Sequence, residues 1–299
     1  MTVLVTGGAG FIGSHIVDKL VDKEYDVIVV DNLSTGKLGN VNPNATFYCM
    51  NISCNSLNRI FSEENPQYVI HLAAQVSVPN SFKKPITDCT SNIVGTVNLL
   101  ECCRKYGIEK IVYSSSAAVY GEPQYLPLDE KHQISPQSNY GISKYTAESY
   151  IKLYQHLYGL NYTVLRYANV YGPRQEAVAE GGVIAVFTER ILSNRPPIIF
   201  GTGNQTRDFV FVDDVVEANI LALTRADNKT LNISTNTSTS INELAEKIKN
   251  LKDTEVSPQH SQSMPGDIFT SVLDNSKARQ YLGWTPRFSL EEGLRKTLP

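Results

Sequence analysis

Hydrophobic positions follow two rhythms along the first half of this chain. Short, nearly unbroken apolar runs recur at Val3 to Val5, Asp26 to Val30, Thr46 to Met50, Tyr68 to Leu72, Ile111 to Tyr113 and Tyr162 to Arg166. Runs this short and continuous predict strands buried on both faces. Between them, apolar residues fall at helical spacing: a stretch opening near Phe11, another from about Leu57 to Glu64, and a long one from about Ile86 to Tyr106 with Ile93, Val97 and Leu100 on one stripe. A fourth runs from Tyr140 to about Tyr158 and carries Ala147, Ile151 and Tyr154. The segment Glu122 to Gln137 holds Pro123, Pro127 and Pro136, and so is predicted to be loop. Strands alternating with helices predict an α/β fold, a Rossmann-type doubly wound parallel sheet with helices on both faces and a ligand at the strands' carboxyl ends.

After Asn169 the rhythm weakens. Pro173, Gly181-Gly182 and Pro196-Pro197 interrupt the chain, and the apolar runs at Ile198 to Phe200, Phe209 to Val212 and Leu231 to Ile233 are short. Asp213 is positioned to cap a helix reaching about Leu223, another helix spans Ile241 to Leu251, and Trp284 reads as core. These features predict insertions over the sheet and a smaller mixed α/β substrate-binding lobe. The resulting division assigns 1–167 and 207–234 to the sheet domain and 168–206 and 235–299 to the smaller lobe.

Composition narrows the setting without naming a chemistry. With 299 residues, 41% hydrophobic and a formal net charge of −3, the chain can bury a large core and shows no basic surplus for nucleic acid. No apolar stretch is long enough to cross a membrane. Met1 runs directly into the first strand, so no signal peptide is expected. Five cysteines (Cys49, Cys54, Cys89, Cys102, Cys103) make no C-x-x-C pair and no metal-ligand cluster. The expectation is a cytoplasmic protein with reduced thiols.

Chemistry enters at the ends of the strands. Gly7, Gly8 and Gly10 stand between the first strand and the first helix, and Gly7, Gly10 and Gly13 are spaced G-x-x-G-x-x-G across the helix start. That order lets a pyrophosphate approach the backbone and meet unpaired N–H groups at the helix start. Asp31-Asn32 closes the second strand, about twenty residues after the glycines, where an acid binds adenosine-ribose hydroxyls and repels a 2′-phosphate. The pair predicts NAD rather than its phosphorylated form. His71 sits inside an apolar strand and is expected to be a core histidine. Ser116 follows the fifth strand, and Tyr140 and Lys144 lie four apart on one face of the next helix. A phenol titrates near 10, but a neighbouring ammonium favours the phenolate, which can then take a proton from a hydroxyl as hydride leaves the same carbon.

The segments TGGAGFIGSH, DNLSTG, HLAAQ, YSSSAAVYGE, SNYGISKYTAE, LRYANVYGPRQ and RDFVFVDDV together resemble the extended short-chain dehydrogenase/reductase family. Within it the chain is similar to nucleotide-sugar enzymes of the UDP-glucose 4-epimerase type, from Thr2 to about Pro286. The resemblance implies NAD as cofactor, a UDP-sugar as substrate and a homodimer built on the outer faces of the two long helices. It makes Ser116, Tyr140 and Lys144 the catalytic set. It places Gly7, Gly10, Phe11, Ile12, Asp31, Asn32, Ser34, Gly36, Asn51, Ile52, Leu72, Ala73, Ala74, Gln75, Asn92, Ser114 and Tyr167, with Tyr140 and Lys144, against the dinucleotide. It places Asn169, Gly182, Val183, Arg207, Asp267 and Ser271, with Ser116 and Tyr140, against the nucleotide sugar.

Departures from the family pattern sharpen the reaction. Dehydratases of the family carry an Asp-Glu pair after the catalytic residue, and decarboxylases commonly keep the Glu; here Ala117-Ala118 stands instead. What remains is oxidation and reduction at one carbon: inversion at sugar C4 through a transient 4-keto sugar. Asn51 replaces the usual acid near the adenine, and Met264 replaces an arginine that grips the diphosphate. Ser271 stands where glucose-restricted enzymes carry tyrosine, which predicts tolerance of an N-acetyl group at C2. A UDP-glucuronate 4-epimerase is the alternative, followed by a net NAD-dependent dehydrogenase or a non-catalytic NAD-binding regulator.

Overall fold

Every apolar run of the first half becomes a strand. A computed structural model describes residues 1–177, 182–263 and 268–298. The first half runs β1 (Thr2–Thr6), α1 (Phe11–Asp22), β2 (Asp26–Asp31), β3 (Thr46–Cys49), α2 (Leu57–Glu64), β4 (Tyr68–His71), α3 (Val78–Lys83), α4 (Pro85–Cys89), α5 (Gly95–Lys105), β5 (Lys110–Ser116), α6 (Asn139–Tyr158) and β6 (Asn161–Tyr167). Next come β7 (Asn169–Tyr171), α7 (Val183–Leu192), β8 (Ile198–Phe200), β9 (Thr206–Arg207), β10 (Phe209–Phe211), α8 (Val212–Ala222) and β11 (Lys229–Ile233). The chain finishes with β12 (Thr239–Ser240), α9 (Ile241–Lys252), β13 (Gln259–Ser261), β14 (Thr270–Ser271), α10 (Ser276–Leu282) and α11 (Leu290–Thr297).

Seven strands form one parallel sheet in the order β3-β2-β1-β4-β5-β6-β11. Successive strand residues face opposite sides, so each run feeds two cores. Val3, Val5, Val27, Val29 and Ile70 pack with Ile16, Val17 and Leu20 of α1. Leu4, Ile28, Val30, Val69 and Ile111 pack with Leu57, Phe61, Leu99, Leu100 and Ile151 on the other side. Double burial is why these strands read as continuous apolar runs. Strand order reverses beside β1, which neighbours both β2 and β4, and that reversal opens a crevice at their carboxyl ends. Trp284 is buried as expected, its indole donating to Asp214 O at 2.8 Å.

Three expectations need correction. The stretch from Ile86 to Tyr106 is not one regular helix: α4 and α5 are joined by a π-helical turn, Thr90–Val94, around the buried Asn92. Asp213 does not cap α8. The cap position is Phe211, with no side-chain cap, and Asp213 sits in the first turn, where its charge meets the positive end of the helix. The strand before that helix therefore stops at Phe211 rather than Val212. Beyond the main sheet, β7 pairs with β10, β8 with β13, and β9 with both β12 and β14.

Candidate active site

The sequence between β1 and α1 can make this turn only with glycine. A Cβ on Gly13 would lie 2.1 Å from Gly7 O, so the helix start rests directly on the turn. The Asp31 carboxylate pins the same turn, accepting from Ala9 N at 3.0 Å and from Leu33 N at 2.8 Å. Both donors are backbone amides, and the 7%-exposed carboxylate side chain still borders the crevice. Opposite, His71 is a satisfied core residue, as expected. Its Nδ1 lies 2.7 Å from Thr6 Oγ1 and its Nε2 2.9 Å from Thr96 Oγ1, and burial pushes it down to about 3.

A cavity of about 470 Å³ runs along the crevice. Gly7, Gly10, Phe11, Ile12, Asp31, Asn32, Ser34, Asn51, Ile52, Leu72, Ala73, Ala74 and Gln75 line it, and so do Ser114, Ser116, Tyr140, Lys144 and Tyr167. Two residues expected at the dinucleotide stand behind this wall. Gly36 packs on the glycine turn, where a Cβ would come within 2.9 Å of Ala9. Asn92 accepts from Gln75 N at 2.7 Å and donates to Gln75 O at 3.0 Å and to Ser143 Oγ at 2.9 Å. Sequence reasoning missed Val76, Asn80, Thr87, Ser91 and Gln175, which also line the cavity. Val76 lies in the loop after β4, and Asn80, Thr87 and Ser91 come from the short helices that follow and the π turn, where no motif or period marks them.

The reacting end is built by β5 and α6. The Ser138 hydroxyl caps α6, accepting from Gly141 N at 3.0 Å. Gly141 lets the helix sit hard against the turn after β5, since a Cβ there would meet Ala118 O at 2.5 Å. Ser116 Oγ accepts from Ala118 N at 3.2 Å, which leaves its own proton to donate. Lys144 is 3% exposed; its Nζ donates to Ser114 O at 2.8 Å and lies 6.0 Å from the centre of the Tyr140 ring. Burial pushes this ammonium down to about 8, while the Asp88 and Glu148 carboxylates pull it back up. Asp31 is the one carboxylate among the described residues lining the cavity, and it stands at the opposite end.

The glycine cradle, the acid after β2 and the serine–tyrosine–lysine end all fit NAD laid along the crevice, adenosine toward Asp31 and nicotinamide toward Tyr140. Of the residues expected at the sugar nucleotide alone, Asn169, Arg207 and Ser271 lie in the neighbouring small sheets. Asn169 pairs with Phe209, Arg207 pairs with Ser271, and Gly182 and Val183 open α7, with Gln175 packed against Gly182. They do not line this cavity. Met264 and Asp267 lie outside the described residues.

Comparison with known proteins agrees with this geometry. A family model described as the NAD dependent epimerase/dehydratase family matches residues 3–234. A putative UDP-glucose 4-epimerase of Methanocaldococcus jannaschii is 50% identical over 297 residues, covering 99% of this chain and 97% of that protein. The crystal structure of a Thermotoga maritima UDP-glucose 4-epimerase with UDP-glucose superposes with a TM-score of 0.98 at 49% identity, covering 100% of this chain and 97% of that one. The Thermus thermophilus UDP-glucose 4-epimerase in complex with NAD gives a TM-score of 0.95 at 40% identity, with coverage of 100% and 98%. This chain belongs to the NAD dependent epimerase/dehydratase family.

Proposed function

We propose that this protein inverts C4 of a UDP-hexose, interconverting UDP-glucose and UDP-galactose through a transient 4-keto sugar. One observation carries the reading. The cavity's reacting end offers Ser116, Tyr140 and Lys144 with Ala117 and Ala118 behind the serine, and its one carboxylate among the described residues is at the other end. Among the described residues no second carboxylate stands at the reacting end, so elimination and decarboxylation are disfavoured. NAD, when bound, accepts a hydride and returns it. Tyr140 then takes the proton of the sugar 4-hydroxyl and later gives it back. Ser116 donates to the same oxygen, and Lys144 favours the phenolate and would hold the nicotinamide ribose.

Residues 1–167 and 207–234 are assigned to NAD and residues 168–206 and 235–299 to the nucleotide sugar. Asn169, Gly182, Val183, Arg207, Asp267 and Ser271 are assigned to the sugar nucleotide. The arginine fork suits a diphosphate, and the small Ser271 leaves room for an N-acetyl group. We assign a homodimer to the outer faces of the stretch from Ile86 to Tyr106 and of α6, where Ile86, Val94, Tyr150, Leu153, Leu157 and Tyr158 are exposed, and the cytoplasm as the working compartment.

The deciding experiment incubates the purified protein, without added NAD, with UDP-glucose, UDP-galactose, their N-acetyl forms and UDP-glucuronate. C4 inversion of the neutral sugars supports the reading. Inversion of UDP-glucuronate alone moves the substrate to the uronate class, and NADH accumulating in solution identifies a net dehydrogenase.

A further inference from the structure

Against the carboxyl end of β5 lies a charged cluster that the chemistry above does not use. Glu148, on α6 one turn beyond Lys144, is fully buried, and Arg166 on β6 is 3% exposed. Glu148 Oε1 accepts from Arg166 Nε at 2.9 Å and from Ser115 Oγ at 2.6 Å. Its Oε2 accepts from Arg166 Nη2 at 2.7 Å. The guanidinium sits 4.9 Å from the centre of the Tyr120 ring, and the Tyr120 hydroxyl donates to Asn232 Oδ1 at 2.6 Å.

Stability does not account for this arrangement. A buried ion pair adds little over well-packed apolar side chains, and here Arg166 Nη1 is buried without a hydrogen-bond partner. What the cluster does is touch each element that bears a reacting group. Ser115 directly precedes Ser116. Glu148 shares its helix with Tyr140 and Lys144, and Tyr120 follows the 3-10 turn Ala117–Val119 that starts at Ser116. Neighbouring side chains of a strand point to opposite faces, so a hydroxyl anchored at 115 dictates the direction of the one at 116.

We propose that Glu148, clamped by Arg166, is a positioning residue that locks the Ser115–Ser116 strand end in register with α6, so that Ser116 and Tyr140 meet the same sugar oxygen. The inference rests on the epimerase reading. It also separates two effects. Loss of the clamp slows turnover at the reacting carbon and leaves the far end of the dinucleotide cradle, the glycine turn and Asp31 at β1, β2 and β4, untouched.

The test compares Ser115→Ala, Glu148→Gln, Glu148→Ala and the Ser115→Ala/Glu148→Ala pair, with kcat expressed per bound NAD. Ser115→Ala should lower kcat about tenfold, with KM for the UDP-sugar and dinucleotide content unchanged. Glu148→Gln keeps an oxygen for Ser115 and should recover part of what Glu148→Ala loses, and Ser115→Ala should cost nothing further in the Glu148→Ala background. Multiplicative losses in the pair overturn the proposal. So does a fall only in folded, NAD-loaded protein with kcat per bound NAD intact, which is the behaviour of a merely structural pair. If Glu148→Ala does not fold, Ser115→Ala decides alone: an unchanged kcat overturns the proposal and a lowered one supports it. Inactivity of the unaltered protein overturns the epimerase reading and this inference together; an active parent with an unaffected Ser115→Ala overturns this inference alone.

Discussion

Replacing His71 with asparagine should flatten the acid side of the protein's stability curve. His71 is 1% exposed, and its two nitrogens are engaged by Thr6 and Thr96. Thr96 donates its own proton to Asn92 O at 2.6 Å, so it accepts from Nε2–H, and Nδ1 accepts from Thr6. A second ring proton would point at that Thr6 hydroxyl. Burial, aided by the Lys144 charge, holds the folded imidazole down to about 3, against 6.5 for the ordinary side chain. Between 6.5 and 3, therefore, this ring takes up a proton only in the unfolded chain. The stability tied to neutral His71 is fully present above 6.5 and is lost as pH falls toward 3, by about 1.4 kcal/mol per unit. At pH 5 the loss is about 2 kcal/mol. Asparagine forfeits hydrogen bonds and should be less stable at pH 7.5 by about 1–3 kcal/mol, but it does not titrate. Urea unfolding of both proteins between pH 7.5 and 5 should show the gap closing by about 2 kcal/mol. Contributions from carboxylates and from His15 are common to both proteins and cancel. A gap that stays constant across this range would refute the account of a neutral, desolvated imidazole.

Three further outcomes follow from the site. Gly13→Ala puts a Cβ 2.1 Å from Gly7 O; unfolding free energy should drop by about 1–3 kcal/mol and NAD retention through gel filtration should be lost, so full retention would contradict the cradle. Lys144→Met should abolish activity yet stabilise the dinucleotide-free protein, because a lysine held at about 8 instead of 10.5 is costly to fold while charged. That gain, about 3 kcal/mol below pH 8, should fade as pH rises from 8 to 10.5, where the unfolded lysine also loses its proton. Gly141→Ala meets Ala118 O at 2.5 Å and should push α6 off the serine turn; kcat should fall roughly 10–100-fold with NAD binding kept, and a parallel loss of both would show that the helix does more than seat Tyr140.

The parts of the fold legible in the sequence are those with a repeating physical cause. Strands covered on both sides must be apolar throughout, so β1, β2, β4 and β5 stood out, and glycine was required where α1 rests on Gly7. Tyr140 and Lys144 were legible because helical spacing alone puts them on one face. The π turn was not, because its extra residue is set by the bonds of Asn92 to Gln75 and Ser143, which come from distant segments. Of the small sheets, β8 and β10 showed as short apolar runs, whereas strands such as Thr206–Arg207 are too short to show any period. Asp213 misled because a helix that follows directly from an extended strand can start without a side-chain cap, leaving the acid to act through its charge.

Asp31 faces two ways, and that has a consequence for redesign. The carboxylate expected to choose the unphosphorylated ribose also ties the peptide of Ala9 to that of Leu33. Swapping it for a residue that welcomes a 2′-phosphate would slacken the very bend expected to carry the pyrophosphate. Any attempt to switch cofactor here must therefore rebuild that tether from another donor–acceptor pair, or the new preference will come with a looser grip on both dinucleotides.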